Sequence, residues 1–271
     1  MVKDNRNLIL EDTEKQILLH DLMDMGELLL SSGAEISRVE DTLTRIGTAY
    51  GAVRMNVFAI TSFLVVTMVF PDRSQVTESR RILQPDQTNF MRMEELNALS
   101  RACCAHPLQL TPKDEFAARI QTIGMEPENR TRTILGSILG AGGFAVFFGG
   151  SILDGLVASI FSFLICEMQK YLGRIFPNRV IFNFIAALLT GTGIALVSQC
   201  FRFLHMDKIM IGDIMLLIPG IALTNSIRNM LVGDTISGAM RLIESILWAA
   251  ALGLGFFTAI LVVGRWNGGL I

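Results

Sequence analysis

Beyond Arg132 the sequence runs through five apolar segments: Thr133 to Phe148, Ser151 to Met168, Val180 to Gln199, Ile209 to Ile227 and Leu242 to Val263. Each approaches the roughly 20 residues that cross hydrocarbon as a helix, and the first two are short but rich in glycine. A buried soluble core supplies one or two such runs, not five joined by short polar loops, so these segments predict membrane helices. The charges agree: residues 1–130 carry 33 of the 48 Asp, Glu, Lys and Arg side chains, and the rest of the 271-residue chain carries 15. The expected fold is therefore a cytosolic α+β domain at 1–130 followed by a five-helix transmembrane domain at 131–271.

The first part reads as helices, then strands, then helices. Met1 to Gln16 is too charged for the apolar core of a secretory signal and is expected to stay in the cytosol. Ile17, Leu18, Leu22, Met25 and Leu29 recur at helical spacing up to Ser31-Ser32-Gly33. A second helix starts near Glu35, with Ile36, Val39, Leu43 and Ile46 on one face and Gly51 beyond its end. From Val53 the period becomes two, and the run Phe63 to Phe70 is apolar on both faces, which predicts a buried strand. A third strand is expected around Val76 to Leu83. Helices follow at about Met91 to Ala105 and Thr111 to Ile123, the latter with Thr111 as N-cap, Pro112 at the first position and Asp114 and Glu115 in the first turn.

With the N-terminus inside, the inner loops hold Arg130, Arg132, Lys170, Arg174, Arg179, Arg228 and Arg241, and the outer side holds Arg202, Lys208 and Arg265. That asymmetry follows the positive-inside rule and places the C-terminus outside a cell membrane. Tyr171, Trp248 and Trp266 mark the interfaces. Gly136 and Gly140 have the spacing of a close helix approach. A net charge of −2 with no basic stripe excludes a nucleic-acid partner. Cys103, Cys104, Cys166 and Cys200, and His20, His106 and His205, lack ligand spacing, so neither metal nor cofactor is expected.

Ionisable groups at membrane depth are costly and mark pathways. Asp213 lies six residues before Pro219-Gly220, a break that frees backbone groups where a solute binds. Thr224, Asn225 and Arg228 follow it and suit a carboxylate. Asp154, at the outer turn, reads as a solvated loop residue or a pathway group. Asp234, Thr235 and Ser237 suit capping of the last helix, Arg241 and Glu244 form an i,i+3 pair, and Asp234, Arg241 and Glu244 are also pathway candidates. Glu167 is expected to pair with Lys170. Glu35 and Arg38 are spaced as a surface pair, beside Glu40.

At these residues the sequence resembles the threonine/serine exporter family. The likeness is carried by Ser32-Gly-Ala-Glu35-Ile-Ser-Arg38-Val-Glu40-Asp41-Thr42, the strand region Asn56 to Thr67, and Leu217-Ile-Pro219-Gly220-Ile-Ala-Leu-Thr224-Asn225-Ser-Ile-Arg228 with Gly233-Asp234 and Gly238. The resemblance implies a cytosolic N-terminal region, membrane helices and export of threonine and serine. Some family members are split, a chain like this one working with a separate five-span subunit, and these are also associated with succinate export. A self-assembled oligomer is the alternative to that partner. Two other classes stand beside an exporter without catalytic residues: a membrane-anchored α+β hydrolase, for which no nucleophile and base converge, and a regulatory subunit whose cytosolic domain senses a ligand.

Overall fold

The computed structural model describes residues 11–82, 88–105, 107, 115–125, 129–176 and 178–266. The expected capping residues Thr111, Pro112 and Asp114 lie outside that set, as do Met1 to Leu10, Leu83, His106 and the side chains of Arg174 and Trp266. The chain forms two compact units, one of residues 1–127 and 228–238, the other of 128–227 and 239–271.

In the first unit, α1 (Asp12–Ser31) begins with a reciprocal cap between Glu11 and Glu14 and ends at Ser32. Gly33 then takes a φ of 84°, a left-handed conformation that costs glycine nothing and turns the chain into α2 (Ile36–Ala49). Gly51 does the same after α2, with φ 99°. The face expected for α2 is the one buried: Ile36, Val39, Leu43 and Ile46 are all at 0% exposure.

Strands β1 (Arg54–Ile60), β2 (Phe63–Val69) and β3 (Gln75–Arg81) form an antiparallel meander in the order β1-β2-β3. Ile60 pairs with Phe63 across the first turn and Val69 with Gln75 across the second. α1 packs on β2 and β3, and α2 on β1. The expectation that β2 is buried on both faces is corrected. Leu64, Val66 and Met68 point into the core, while Phe63 remains 37% exposed. Helices pack on the Leu64 face, so β2 being central secures its hydrogen bonds but not burial of its second side.

α3 (Phe90–Ala105) and α4 (Ala117–Met125) complete this unit. Its core joins Leu18, Leu22 and Met25 of α1 to Leu96 and Cys103 of α3, with Tyr50 stacked on Phe116 at 6.4 Å. Each fully buried Leu or Met contributes about 1.5–3 kcal/mol. Lys15 is buried too, its ammonium held by Asp12, Asp72 and Ser74 at 3.0, 2.5 and 2.7 Å.

The second unit contains α5 (Arg130–Phe147), α6 (Ile152–Ile175), α7 (Arg179–Cys200), α8 (Met206–Leu217), the first part of α9 (Gly220–Val232) and most of α10 (Thr235–Trp266). Among the described residues, three helices are long and apolar enough to cross a membrane: α6, α7 and α10. A fourth span results if α8 and α9, bent by 52° at their junction, are taken as one. The first of the five expected segments falls in α5, an 18-residue helix that opens with Arg130 and Arg132 and does not qualify. The fifth begins earlier than expected, so Arg241 and Glu244 lie within α10. Large apolar side chains face outward across this unit, including Leu139 at 74%, Phe147 at 78% and Ile160 at 62% exposure. A surface of that kind is suited to lipid, not water.

The close helix approach occurs at other glycines than Gly136 and Gly140, around which a Cβ would meet nothing within 4 Å. It occurs where Gly142 of α5 meets Gly155 of α6: a Cβ on Gly142 would sit 2.9 Å from the Gly155 carbonyl oxygen. Gly212 of α8 is seated on α5 in the same way, against Ala141 and Ala145. The GxxxG spacing permits approach, but the packed face of α5 is the one carrying Ala141, Gly142 and Ala145.

Candidate functional site

Helix α8 ends because Ile218 precedes proline, which disfavours helical backbone there; Ile218 is extended, with φ −67° and ψ 133°. Pro219 supplies no N–H, and α9 restarts at Gly220 with Leu223 N–H donating to the Pro219 carbonyl at 3.0 Å. Pro219 and Gly220 thus form the break their sequence foretells. Asp213 lies in α8 at 0% exposure, and neither carboxylate oxygen has a hydrogen-bond partner among the described groups. An unpaired carboxylate in such surroundings is a costly state that a proton or an ammonium group relieves.

Past the break, Thr224 donates its hydroxyl to the Gly220 carbonyl at 3.0 Å, and Asn225 is half-buried. Asn229, not singled out from the sequence, is 5% exposed with its amide nitrogen unpartnered among the described groups. Thr190 of α7 is similarly buried, its hydroxyl unpartnered among the described groups. Its signal was available in the Thr190-Gly-Thr-Gly193 run, where a hydroxyl sits among glycines in an apolar helix.

Asp154 is not a solvated loop residue. Its side chain is 0% exposed. It closes a reciprocal cap with Ser151 at the start of α6, accepting the Ser151 N–H and hydroxyl at 2.7 and 2.8 Å. It also accepts the backbone N–H of His205 at 2.8 Å and lies 2.9 Å from that imidazole's Nδ1. The α5–α6 turn is thereby tied to the start of α8. Glu167 pairs with Arg130 rather than serving Lys170, whose ammonium lies over the Tyr171 ring.

Of the remaining expected residues, Glu35, Arg38, Glu40, Arg228 and Asp234 fall in the first unit, to which Arg228–Gly238 belongs, and Arg241 and Glu244 in the second. Glu35 stands at the N-cap position of α2, and its expected pairing with Arg38 is corrected: its carboxylate accepts from Arg228 Nη1 at 2.5 Å, and Arg38 is exposed. One turn along α2, Glu40 accepts the Ala59 N–H at 2.9 Å. Burial pushes the Glu40 carboxyl above its ordinary range; the Ala59 N–H opposes this and the Asp234 carboxylate adds to it. Asp234 directly precedes α10, after Gly233 at φ 108°. Two stretches far apart in sequence, 35–40 and 228–234, therefore lie against one another. Arg241, half-buried, and Glu244, exposed, follow one turn apart in α10.

Three membrane-length helices, with a bent pair broken at Pro219-Gly220 whose first helix carries a buried carboxyl unpaired among the described groups, fit a multi-pass membrane protein of the transporter type. A family model described as "Putative threonine/serine exporter" matches residues 21–263, and the chain belongs to that family. It is similar to the threonine/serine exporter of Corynebacterium glutamicum, 24% identical over 242 residues that make up 85% of this chain and 49% of that protein. It is similar also to a protein of Mycobacterium tuberculosis named "Probable threonine/serine exporter", 22% identical over 93% of this chain and 47% of that protein. The chain thus spans about half the length of these curated relatives. All three names are those of transporters, not enzymes. No solved structure matches the chain.

Proposed function

We propose that this chain is a component of a secondary exporter that carries small polar metabolites, threonine and serine foremost, outward across the cell membrane. The observation that carries the reading is Asp213: a fully buried carboxyl without a partner among the described groups, in the helix that ends at the Pro219-Gly220 break. In this reading Asp213 takes a coupling proton or the solute's ammonium. Thr224, Asn225 and the backbone groups freed at Pro219 and Gly220 meet its carboxylate. Arg228, already engaged by Glu35, is left out of the solute-contacting set.

The chain spans the membrane five times, α5 included, with its N-terminus in the cytosol and its C-terminus outside, as the loop charges favour. It works with a separate five-span subunit. Gly136, Gly140 and Gly143 of α5, where a Cβ would meet nothing within 4 Å among the described residues, suit the close approach of another helix. Asp234, Arg241 and Glu244 lie where solute approaching from the cytosol passes.

The test is efflux of radiolabelled threonine, serine and succinate from vesicles holding the chain with and without the five-span subunit. Threonine and serine efflux that depends on both chains and fails in Asp213→Asn supports the reading. Succinate efflux alone would replace the substrate, and efflux unaffected by Asp213→Asn and Asn225→Ala would remove the site.

A further inference from the structure

The chain places the boundary between its two units inside a continuous helix. Residues 220–227 of α9 belong to the second unit and Arg228 to Val232 to the first, with no interruption of the helix between them. What holds the second part of α9 within the first unit is visible on two levels. Arg228 is bonded to Glu35 at the head of α2, and the segment from Asn229 to Ser237 folds tightly behind it. There Asp234 N–H donates to the Asn229 carbonyl at 2.9 Å, and Asn229 and Ser237 are buried to 5% and 2% exposure. Glu40 and Asp234, both acidic, add no attraction across this contact. The Arg228 guanidinium is the attractive charge there, and Glu35 is its partner.

We propose that Glu35 is a positioning residue for the broken helix. Through Arg228 it fixes the end of α9 and the α9–α10 junction within the first unit, and so holds the far end of the helix that begins at Gly220. The inference rests on the exporter reading only for its consequence in transport. The anchoring itself is a property of the fold. A helix transmits a displacement of its end along its length, and the bend at residues 218–220 is the place where that displacement is absorbed, because proline leaves the hydrogen-bond ladder open there. Neither Glu35 nor Arg228 touches solute in this scheme.

The experiment is a charge-exchange cycle on the full chain with its five-span subunit: wild type, Glu35→Arg, Arg228→Glu, the double variant, and Glu35→Gln as the milder replacement. Two quantities are read, amide hydrogen exchange at residues 228–238 and the initial rate of threonine efflux with its half-saturating concentration. Each single reversal is expected to speed exchange at 228–238 and to lower the maximal rate about tenfold at unchanged half-saturation, and the double variant to recover both. Glu35→Gln should fall between wild type and the reversals. Exchange unchanged by the single variants would overturn the anchoring. Recovered exchange without recovered efflux would show Arg228 meeting solute and overturn the positioning role. A wild-type complex that moves no threonine would end the exporter reading, while the exchange pattern would still decide whether Glu35 holds the junction.

Discussion

His205 ties the start of α8 to the start of α6 by presenting its backbone N–H and Nδ1 to one buried carboxylate, that of Asp154. The same carboxylate caps α6 through Ser151, so four polar contacts converge on a side chain with no exposure. Asp154→Ala strips the cap and leaves buried N–H groups unsatisfied, a loss of about 2 kcal/mol or more. Thermal unfolding in detergent is expected to show a clear drop for this variant. His205→Ala should cost less, because that ring is 59% exposed and the backbone bond survives.

Alanine substitutions distinguish the packed from the open glycines of the second unit. Gly212→Ala puts a methyl group against the Ala141 backbone carbonyl, which cannot move aside cheaply, and should lower thermal stability markedly. Gly136→Ala and Gly140→Ala meet nothing within 4 Å and gain helix propensity of about 1 kcal/mol, so they should leave the isolated chain as stable or more so.

Asp213→Asn removes an ionisable carboxyl with no hydrogen-bond partner to forfeit among the described groups. Folding stability should therefore hold or rise, while the response of efflux to an imposed pH gradient disappears. Melting in detergent and vesicle efflux at several gradients check the two halves separately.

Asp21 of α1 gives the first unit a pH-dependent stability. Burial pushes its carboxyl from 3.8 up to about 7, with Asp24 adding to the shift and His20 opposing it. Between those values the folded chain holds a proton that the unfolded chain has lost. This contribution is therefore complete at low pH, falls as pH rises through that window and is flat above it. Melting of the full chain from pH 4 to 8 should show that slope, and Asp21→Asn should remove it and be the more stable of the two at pH 8.

Cys103 is buried, and its thiol is pushed up to about 11 by that burial, so the reactive thiolate is scarce near neutrality. Cys200, at the end of α7, is exposed. Maleimide at pH 7.5 should modify Cys200 and spare Cys103, as read by peptide mass analysis.

Much of the first unit was legible because its signals are local. The apolar spacing in α2, the glycines at 33 and 51 and the change of period at Val53 each report on a few neighbouring residues, and the structure follows them. Phe63 was harder, since an apolar side chain shows what a position can bury against, not whether anything is there. In the second unit the break at Pro219 could be read from covalent geometry alone. Asp154 was misplaced because only part of its environment, the Ser151 cap, is local, the rest coming from His205, 51 residues away, and Glu35 because its partner Arg228 is 193 residues away. Side-chain spacing within one helix favoured Arg38, and only the folded chain could favour Arg228.

The assignment of residues 228–238 to the first unit has a practical corollary. A fragment cut at residue 127 would be missing the eleven-residue piece that supplies the countercharge for Glu35 and lies beside Glu40. Its Glu35 would then lack the Arg228 guanidinium, while Glu40 would keep the Ala59 N–H and lose the neighbouring Asp234 charge. Supplying that peptide in trans, or grafting it through a short linker, is the way to obtain the first unit in the form it has within the intact chain.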